Sequence, residues 1–272
     1  MTIDQALMQA GLPRLEARML LEYVTGYPRV TLIAHPEYEL CAEQAQRFSA
    51  LCSQRQAGTP MAYLLGEREF FGRIFRVTPD VLIPRPETEL LVESVLARLQ
   101  PQQRVLDLGT GSGAIAVSVA LERPDVAVTM VDVSAAALAV AQENAERLGA
   151  TCQAVLSDWY TALADTRFDL IVSNPPYIAD QDPHLSQGDL RFEPQSALTD
   201  FGSGLSAIET IVQGAPTYLQ PQGWLLIEHG YDQGAACREC FLSQGWNAVE
   251  TLRDWNGQER ITLGRLAELR AT

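Results

Sequence analysis

The chain has 272 residues, 47% hydrophobic and 20% charged, with a net charge of −14 at pH 7. Such a chain carries enough apolar material for one medium domain plus a small one, and its composition excludes a largely disordered polypeptide. The acidic balance, without a basic cluster anywhere in the sequence, argues against a duplex nucleic acid as partner.

The first 58 residues read as helices. "TIDQALMQAG" opens on Thr2 as a cap and stops at Gly11, "PRLEARMLLEYVTG" starts at Pro13 and stops at Gly26, and "CAEQAQRFSALCSQRQAG" ends at Gly58. Proline inside the start and glycine past the end are the ordinary punctuation of helices. A small helical domain over 1–58 is expected. Residues 59–85 change character. "EREFFGRIFRV" reads as a β-hairpin around Gly72, and "TPDVLIPRPETE" reads as a linker.

From residue 86 to 272 helices and strands alternate. "ETELLVESVLARLQ" is a helix, "RVLDLG" a strand, "SGAIAVSVALERP" a helix, "AVTMVD" a strand, and "SAAALAVAQENAERLG" a helix capped by Ser134 and stopped by Gly149. "CQAVLS" and "FDLIVS" are strands, "GLSAIETIVQGAPTYLQ" a helix, "GWLLIEHG" a strand and "DQGAACRECFLSQG" a helix. "NAVETLRD" and "ERITLGR" close the chain as two strands able to pair with each other. Apolar strands flanked by helices predict an α/β fold with a mostly parallel seven-stranded sheet covered on both faces.

No apolar run is long enough to span a bilayer, and the amphipathic N-terminus lacks a signal-peptide core. The five cysteines show no framework spacing, which suits a reducing cytoplasm. Cys237 and Cys240 form a CxxC on a helix, read as structural rather than as a redox or metal pair. No metal site is expected.

In sheets of this kind ligands sit beyond the carboxyl ends of the strands. After the first strand of the sheet comes Asp107, then Gly109-Thr110-Gly111-Ser112-Gly113. The spacing is GxGxG, not the GxGxxG of dinucleotide sites, and a carboxylate before the turn suits a cationic ligand such as S-adenosyl-L-methionine better than a pyrophosphate. Asp132, nineteen positions beyond Gly113, ends the second strand and is the candidate for gripping ribose hydroxyls. Asp158 and Trp159 follow the third strand. They are candidates for accepting from an adenine amino group and for stacking on its ring. Taken singly, Trp159 reads also as a core aromatic and Asp158 as a turn residue.

The fourth strand ends in Asn174-Pro175-Pro176-Tyr177. A planar nitrogen nucleophile carries two N–H groups that need acceptors once desolvated. The Asn174 side-chain oxygen and the Pro175 carbonyl supply two, the paired prolines stiffen the loop, and Tyr177 offers a flat face. Positioning such a nitrogen in line with a methyl donor is the main source of rate. Residues 179–204 form a long polar connection, a candidate lid. His35, His184 and His229 are read as structural or solvated.

These motifs resemble those of Rossmann-like class I methyltransferases acting on planar nitrogens. The "MAYLLGEREFFG" hairpin, "VLIPRPETE", "LDLGTGSGAIA", "SNPPYI", "FEP…AL" and "RDWNGQERITLGR" together resemble, over nearly the whole chain, the peptide chain release factor N5-glutamine methyltransferase (PrmC/HemK) family. The resemblance implies transfer of methyl from S-adenosyl-L-methionine, leaving S-adenosyl-L-homocysteine, to the glutamine of the Gly-Gly-Gln motif of class 1 release factors. By motif position, Gly109 to Gly113, Asp132, Asp158, Trp159 and Asn174 are expected to bind or border the cofactor. Asn174, Pro175, Pro176 and Tyr177 are expected to hold the glutamine amide, with Asn174, Pro175 and Tyr177 at the chemistry. Arg85, Glu87 and Glu89 read equally as cleft residues and as a helix N-terminus. "TDFGSGL" departs from the family's more usual GGxDGL. A cytoplasmic monomer that binds no nucleic acid directly is expected. The alternative is an adenine-N6 nucleic-acid methyltransferase.

Overall fold

In the computed structural model, which describes residues 1–267, the chain divides after Glu67 into two units. The last five positions of the expected domain 86–272 lie outside the described residues.

The first unit is helical: α1 (Ile3–Gln9), α2 (Arg14–Thr25), α3 (Arg29–Ala34), α4 (Ala42–Gln56) and α5 (Met61–Leu65). Thr2 caps α1 reciprocally: Gln5 N–H donates to its hydroxyl at 3.3 Å, and Thr2 N–H donates to Gln5 Oε1 at 2.9 Å. Gly26 ends α2 in the left-handed region. Ile3, Leu20, Leu21, Leu32 and Phe48 fill one core, each contributing about 1.5–3 kcal/mol by leaving water. Arg55 holds Glu16 through two hydrogen bonds of 2.8 and 2.9 Å, joining α4 to α2. Helices α3 and α5 escape sequence reading because six and five residues are too few to show a period. Since α5 buries Leu64 in this core, residues 59–66 sit with the helices, not with the hairpin that follows.

In the second unit, β1 (Glu67–Phe70) and β2 (Arg73–Arg76) make the expected hairpin. Its turn residues Phe71 and Gly72 both have positive φ, the twist that suits a two-residue connection. The sheet comprises β3 (Arg104–Leu108), β4 (Ala127–Asp132), β5 (Cys152–Leu156), β6 (Phe168–Ser173), β7 (Leu219–Glu228), β8 (Asn247–Arg253) and β9 (Glu259–Arg265). The spatial order is β5-β4-β3-β6-β7-β9-β8. Pairings from β5 to β7 are parallel, and β9 runs antiparallel to both its neighbours.

Successive strand residues face opposite sides, and the two sides feed two apolar layers. Val105, Leu170, Val172 and Leu226 pack with α6 (Glu89–Leu96), α7 (Ala114–Glu122) and α8 (Ala135–Leu148). Leu106, Ile171, Leu225 and Ile227 pack with α10 (Ser206–Tyr218) and α11 (Gly234–Ser243), while α9 (Gln195–Leu198) lies in the long connection before α10. Ser134 and Gly149 cap α8 as the sequence predicts. Gly214 gives Tyr160 room: a Cβ there would lie 2.5 Å from the tyrosine ring, which stacks on Tyr218 at 4.8 Å and donates its hydroxyl to Ile211 O at 2.9 Å.

Asn144, fully buried on α8, ties the hairpin to the glycine-rich turn. It accepts from Arg76 N at 2.7 Å and donates to Arg76 O and Ser112 O, both at 2.9 Å. Asn144→Ala leaves one buried backbone group, Ser112 O, and two half-buried ones on Arg76 without their partner, and is expected to cost roughly 1–3 kcal/mol, read as a lower midpoint in urea unfolding.

Candidate active site

One cleft opens at the carboxyl ends of β3, β4 and β6. Its walls include Gly109, Thr110, Gly111, Ser112, Asp132, Asp158, Trp159, Asn174 and Pro176. The switch point lies between β4 and β6, on either side of β3, where the order reverses. Arg85, Thr88 and, from α9, Ser196 and Ala197 also reach it.

The glycine-rich turn is left-handed at each glycine, with φ of 70°, 56° and 80° at Gly109, Gly111 and Gly113. They serve different ends. A Cβ on Gly111 would meet nothing within 4 Å, so this backbone stands bare to the cleft. A Cβ on Gly113 would press on Ala141 at 3.1–3.2 Å, so this glycine lets α7 seat against α8.

Asp107 corrects one sequence expectation. It is fully buried and not a wall of the cleft. Its Oδ2 accepts from the Thr110 hydroxyl at 2.6 Å and Ala116 N at 3.2 Å, so the carboxylate braces the turn from beneath. Burial pushes its carboxyl up to about 7. The acidic group presented to a ligand is Asp132. Its Oδ2 accepts from Gly111 N and its Oδ1 from Ser134 N, both at 2.9 Å. Burial raises its pKa too, against these bonds.

Asp158 is exposed on the rim. Trp159 is held at φ 47°, a strained backbone for a bulky side chain, and its ring lies 3.7 Å from where a Cβ on Gly109 would stand. This places an aromatic face beside the turn.

Of the four residues after β6, Asn174 and Pro176 line the cleft, while Pro175 is buried and Tyr177 packs into the layer under α10. Asn174 Nδ2 donates to Thr88 Oγ1 at 3.2 Å, and its Oδ1 makes no hydrogen bond among the described residues. Tyr177 points its hydroxyl at Glu228 Oε1, 3.5 Å away, and its carbonyl accepts from Gln233 Nε2 at 2.9 Å. Burial, with Glu228 close by, drives the phenol pKa well up, so it stays protonated.

Sequence reading missed Thr88, Glu228 and Glu193. Glu193, in the long connection, has its side chain fully buried. It pairs with Arg85 and accepts from Ile83 N at 3.0 Å, pinning the connection to the proline-rich segment. Glu89 accepts from Phe71 N at 2.9 Å and so anchors the hairpin; of Arg85, Glu87 and Glu89 only Arg85 lines the cleft. His229 is buried and neutral: it donates from Nδ1 to Gly230 O at 2.8 Å and accepts at Nε2 from Thr262 at 2.9 Å, a structural role. His184 is exposed beside Asp182 and His35 stacks on Tyr38. Cys237 is a buried thiol, pushed up to about 12 by burial. No cluster able to hold a metal occurs among the described residues, and no described helix is long and apolar enough to cross a membrane.

A bare glycine turn over a helix N-terminus, an acidic residue closing β4 and a planar-nitrogen loop closing β6 define a Rossmann-like class I methyltransferase that uses S-adenosyl-L-methionine. Residues 86–191 match the family Methyltransferase small domain, and residues 2–66 match PrmC N-terminal domain. The chain is 54% identical to the release factor glutamine methyltransferase of Neisseria gonorrhoeae, over 97% of this chain and 98% of that one. It is 56% identical to that of Bordetella pertussis, over 97% and 99%. A methyltransferase structure from Pyrococcus furiosus shares the fold, with TM-score 0.57 at 19% identity over 80% of this chain and all of that one. The chain belongs to the release factor glutamine methyltransferase family.

Proposed function

We propose that this enzyme transfers a methyl group from S-adenosyl-L-methionine to N5 of the glutamine in the Gly-Gly-Gln motif of class 1 peptide chain release factors, acting in the cytoplasm as a monomer. One observation carries the choice of a planar amide. Asn174 lines the cleft, donates one N–H to Thr88 and has a side-chain oxygen with no hydrogen bond among the described residues.

The cleft fits the cofactor. Its walls are largely apolar, with Val131, Val133, Ala137, Ile115 and the Trp159 ring, and its acidic members are Asp80, Asp132 and Asp158. Among the described residues lining it, Arg85 is the one cation, and Glu193 neutralises it. This lining suits a ligand with a flat base, a ribose and a positive charge, and opposes a pyrophosphate. When bound, the cofactor supplies an electrophilic methyl on a sulfonium. Gly109 to Gly113 would hold its amino-acid portion on their open backbone, Asp132 would take its ribose hydroxyls, and Asp158 and Trp159 would hold its base.

The chain's own contribution to the reaction is orientation. Asn174 Oδ1 accepts one N–H of the glutamine amide, and the Pro175 carbonyl accepts the other. Pro175 and Pro176 hold these two acceptors apart without competing donors, and Tyr177 backs them. Both acceptors grow stronger partners as the nitrogen becomes cationic, which lowers the barrier to attack. The extra proton then leaves an acidic nitrogen for water, so no strong base is needed.

The test is label transfer from methyl-labelled S-adenosylmethionine, with purified class 1 release factor in one arm and adenine-containing DNA in the other. Mass spectrometry of the Gly-Gly-Gln peptide should find one methyl on the glutamine. Label in DNA and none in the factor overturns the assignment and favours an adenine-N6 methyltransferase.

A further inference from the structure

We propose that Glu193 is a positioning residue that tunes cofactor specificity. By masking the Arg85 charge on the cleft wall it raises the preference for the sulfonium of S-adenosyl-L-methionine over the neutral thioether of S-adenosyl-L-homocysteine. The inference rests on the cofactor and not on the identity of the methyl acceptor, so it stands or falls separately from the release factor assignment.

Glu193 stands in the long connection between β6 and α10, directly before Pro194 and α9. Its side chain is 0% exposed, yet it does not line the cleft. A carboxylate at that depth is costly unless it is paired and hydrogen-bonded, and both of its oxygens are used. Oε2 accepts from Ile83 N at 3.0 Å, and Oε1 accepts from Arg85 Nη2. Arg85, by contrast, is partly exposed and lines the cleft. It sits on the wall that meets the loop after β6. Its carbonyl accepts from Thr88 N at 3.1 Å, and Thr88 Oγ1 accepts from Asn174 Nδ2 at 3.2 Å. Glu193 therefore touches no ligand and acts on the cleft through Arg85.

The two ligands differ by one charge. Loss of the methyl group turns the sulfonium into a thioether and leaves the rest of the molecule unchanged. A fixed cation on the wall opposes the first ligand and is nearly indifferent to the second. Arg85 is the one cation among the described residues lining the cleft, against Asp80, Asp132 and Asp158. With Arg85 cancelled by Glu193, those acids set the sign of the cleft. The same carboxylate also has a mechanical part. It joins the connection to the proline-rich segment, so that Pro84 on one side and Ser196 and Ala197 of α9 on the other line a single cleft. The two parts are separable. Removing the charge alone changes the preference between the ligands, whereas loosening the wall weakens both alike.

The experiment measures Kd for S-adenosyl-L-methionine and for S-adenosyl-L-homocysteine by titration calorimetry, with no methyl acceptor present. The proteins are the wild type, Glu193→Gln, Glu193→Asp and Glu193→Gln/Arg85→Met. The readout is the ratio of the two Kd values on one protein, in which any shared loss of folded fraction cancels. Glu193→Gln can still accept from Ile83 N but carries no charge, and its preference for S-adenosyl-L-methionine should fall about five- to tenfold. Glu193→Met, of similar volume and without polar atoms, takes its place if that variant does not fold, with the same expectation. Glu193→Asp keeps the charge and should hold the ratio within about twofold of wild type, even where both affinities drop. Glu193→Gln/Arg85→Met removes both charges and should return the ratio to within about twofold of wild type. A charge-free single variant whose ratio stays within about twofold of wild type overturns the proposal. So does a double variant whose ratio is as low as that of Glu193→Gln, or a Glu193→Asp ratio that falls as far.

Discussion

Asn174→Ala is expected to lower kcat for release factor methylation by about 10²–10³-fold, the usual cost of removing one preorganised group that stabilises developing charge. Cofactor Kd should change little, because the glycine turn, Asp132 and Trp159 remain. The argument is one of geometry. The substrate nitrogen is a poor nucleophile, and its two hydrogens point to whatever accepts them. Removing the Asn174 oxygen leaves the Pro175 carbonyl as a single hinge about which the amide can rotate. Alanine also leaves the Thr88 hydroxyl without its donor. Asn174→Asp is a sharper probe. It keeps an acceptor but loses the N–H that Thr88 takes, and so should stay well below wild type. Single-turnover rates with saturating cofactor measure both. An Asn174→Ala enzyme within about tenfold of wild type would remove Asn174 from the chemistry.

Much of this molecule is legible in its sequence because apolar runs between polar turns leave one reading. Six of the seven strands of the sheet fall where "RVLDLG", "AVTMVD", "FDLIVS" and their fellows place them, and β7 starts at Leu219, four residues ahead of "GWLLIEHG" and inside the segment that reads as helix. The hairpin is legible from its aromatics around Gly72, and Asp132, Trp159 and Asn174 from their places after strands. The helices α3 and α5 are not, since each is a single short turn behind a proline. Side-chain direction is the other blind spot. Asp107 precedes a ligand-binding turn and reads as a ligand group, yet strand alternation directs it beneath the turn, where two donors claim it. Glu193 and Ile83 lie 110 positions apart, and Tyr177 and Glu228 lie 51 apart. Such pairs leave no local pattern. A buried carboxylate at the end of β7 was still a readable oddity, because an acid ending an otherwise apolar strand needs partners. His229 beside it reads as structural and is so, bonded to Gly230 O and Thr262.

The departure from GGxDGL in "TDFGSGL" is absorbed by Asp200. Its carboxylate accepts from the N–H groups of Gly202 and Gly204, both at 2.9 Å, from Ser206 N at 2.8 Å and from the Ser206 hydroxyl. Burial opposes its ionisation, but these bonds win and hold the carboxyl below its ordinary range. The turn they shape ends the long connection and sets up α10.

Gly204 is where that turn meets the loop after β6, and Gly204→Ala is the second large effect expected. Its φ is +81°, a region that costs an L-residue roughly 1–2 kcal/mol. Space is the greater problem. An added Cβ would fall well inside contact with the Tyr177 carbonyl oxygen and reach 3.1 Å from Ala179 N and Gln233 Nε2. The first two are backbone and cannot swing aside. Gln233 donates to both Tyr177 O at 2.9 Å and Gly204 O at 3.2 Å, so it clamps the same junction. The methyl can be housed only by moving the turn or the catalytic loop. If the turn gives, stability falls by about 3 kcal/mol, a shift of roughly 6–10 °C in Tm. If the loop gives, kcat falls with it, because Tyr177 follows Asn174 by three positions. Gly257→Ala separates the two terms. Its φ is +77°, but nothing lies within 4 Å of the added carbon, so it pays only the backbone cost of about 1–2 kcal/mol and keeps kcat. Thermal unfolding and steady-state methylation of the two variants side by side decide the matter. Equal losses in both would place the effect in backbone conformation alone and release Gly204 from any part in holding the catalytic loop.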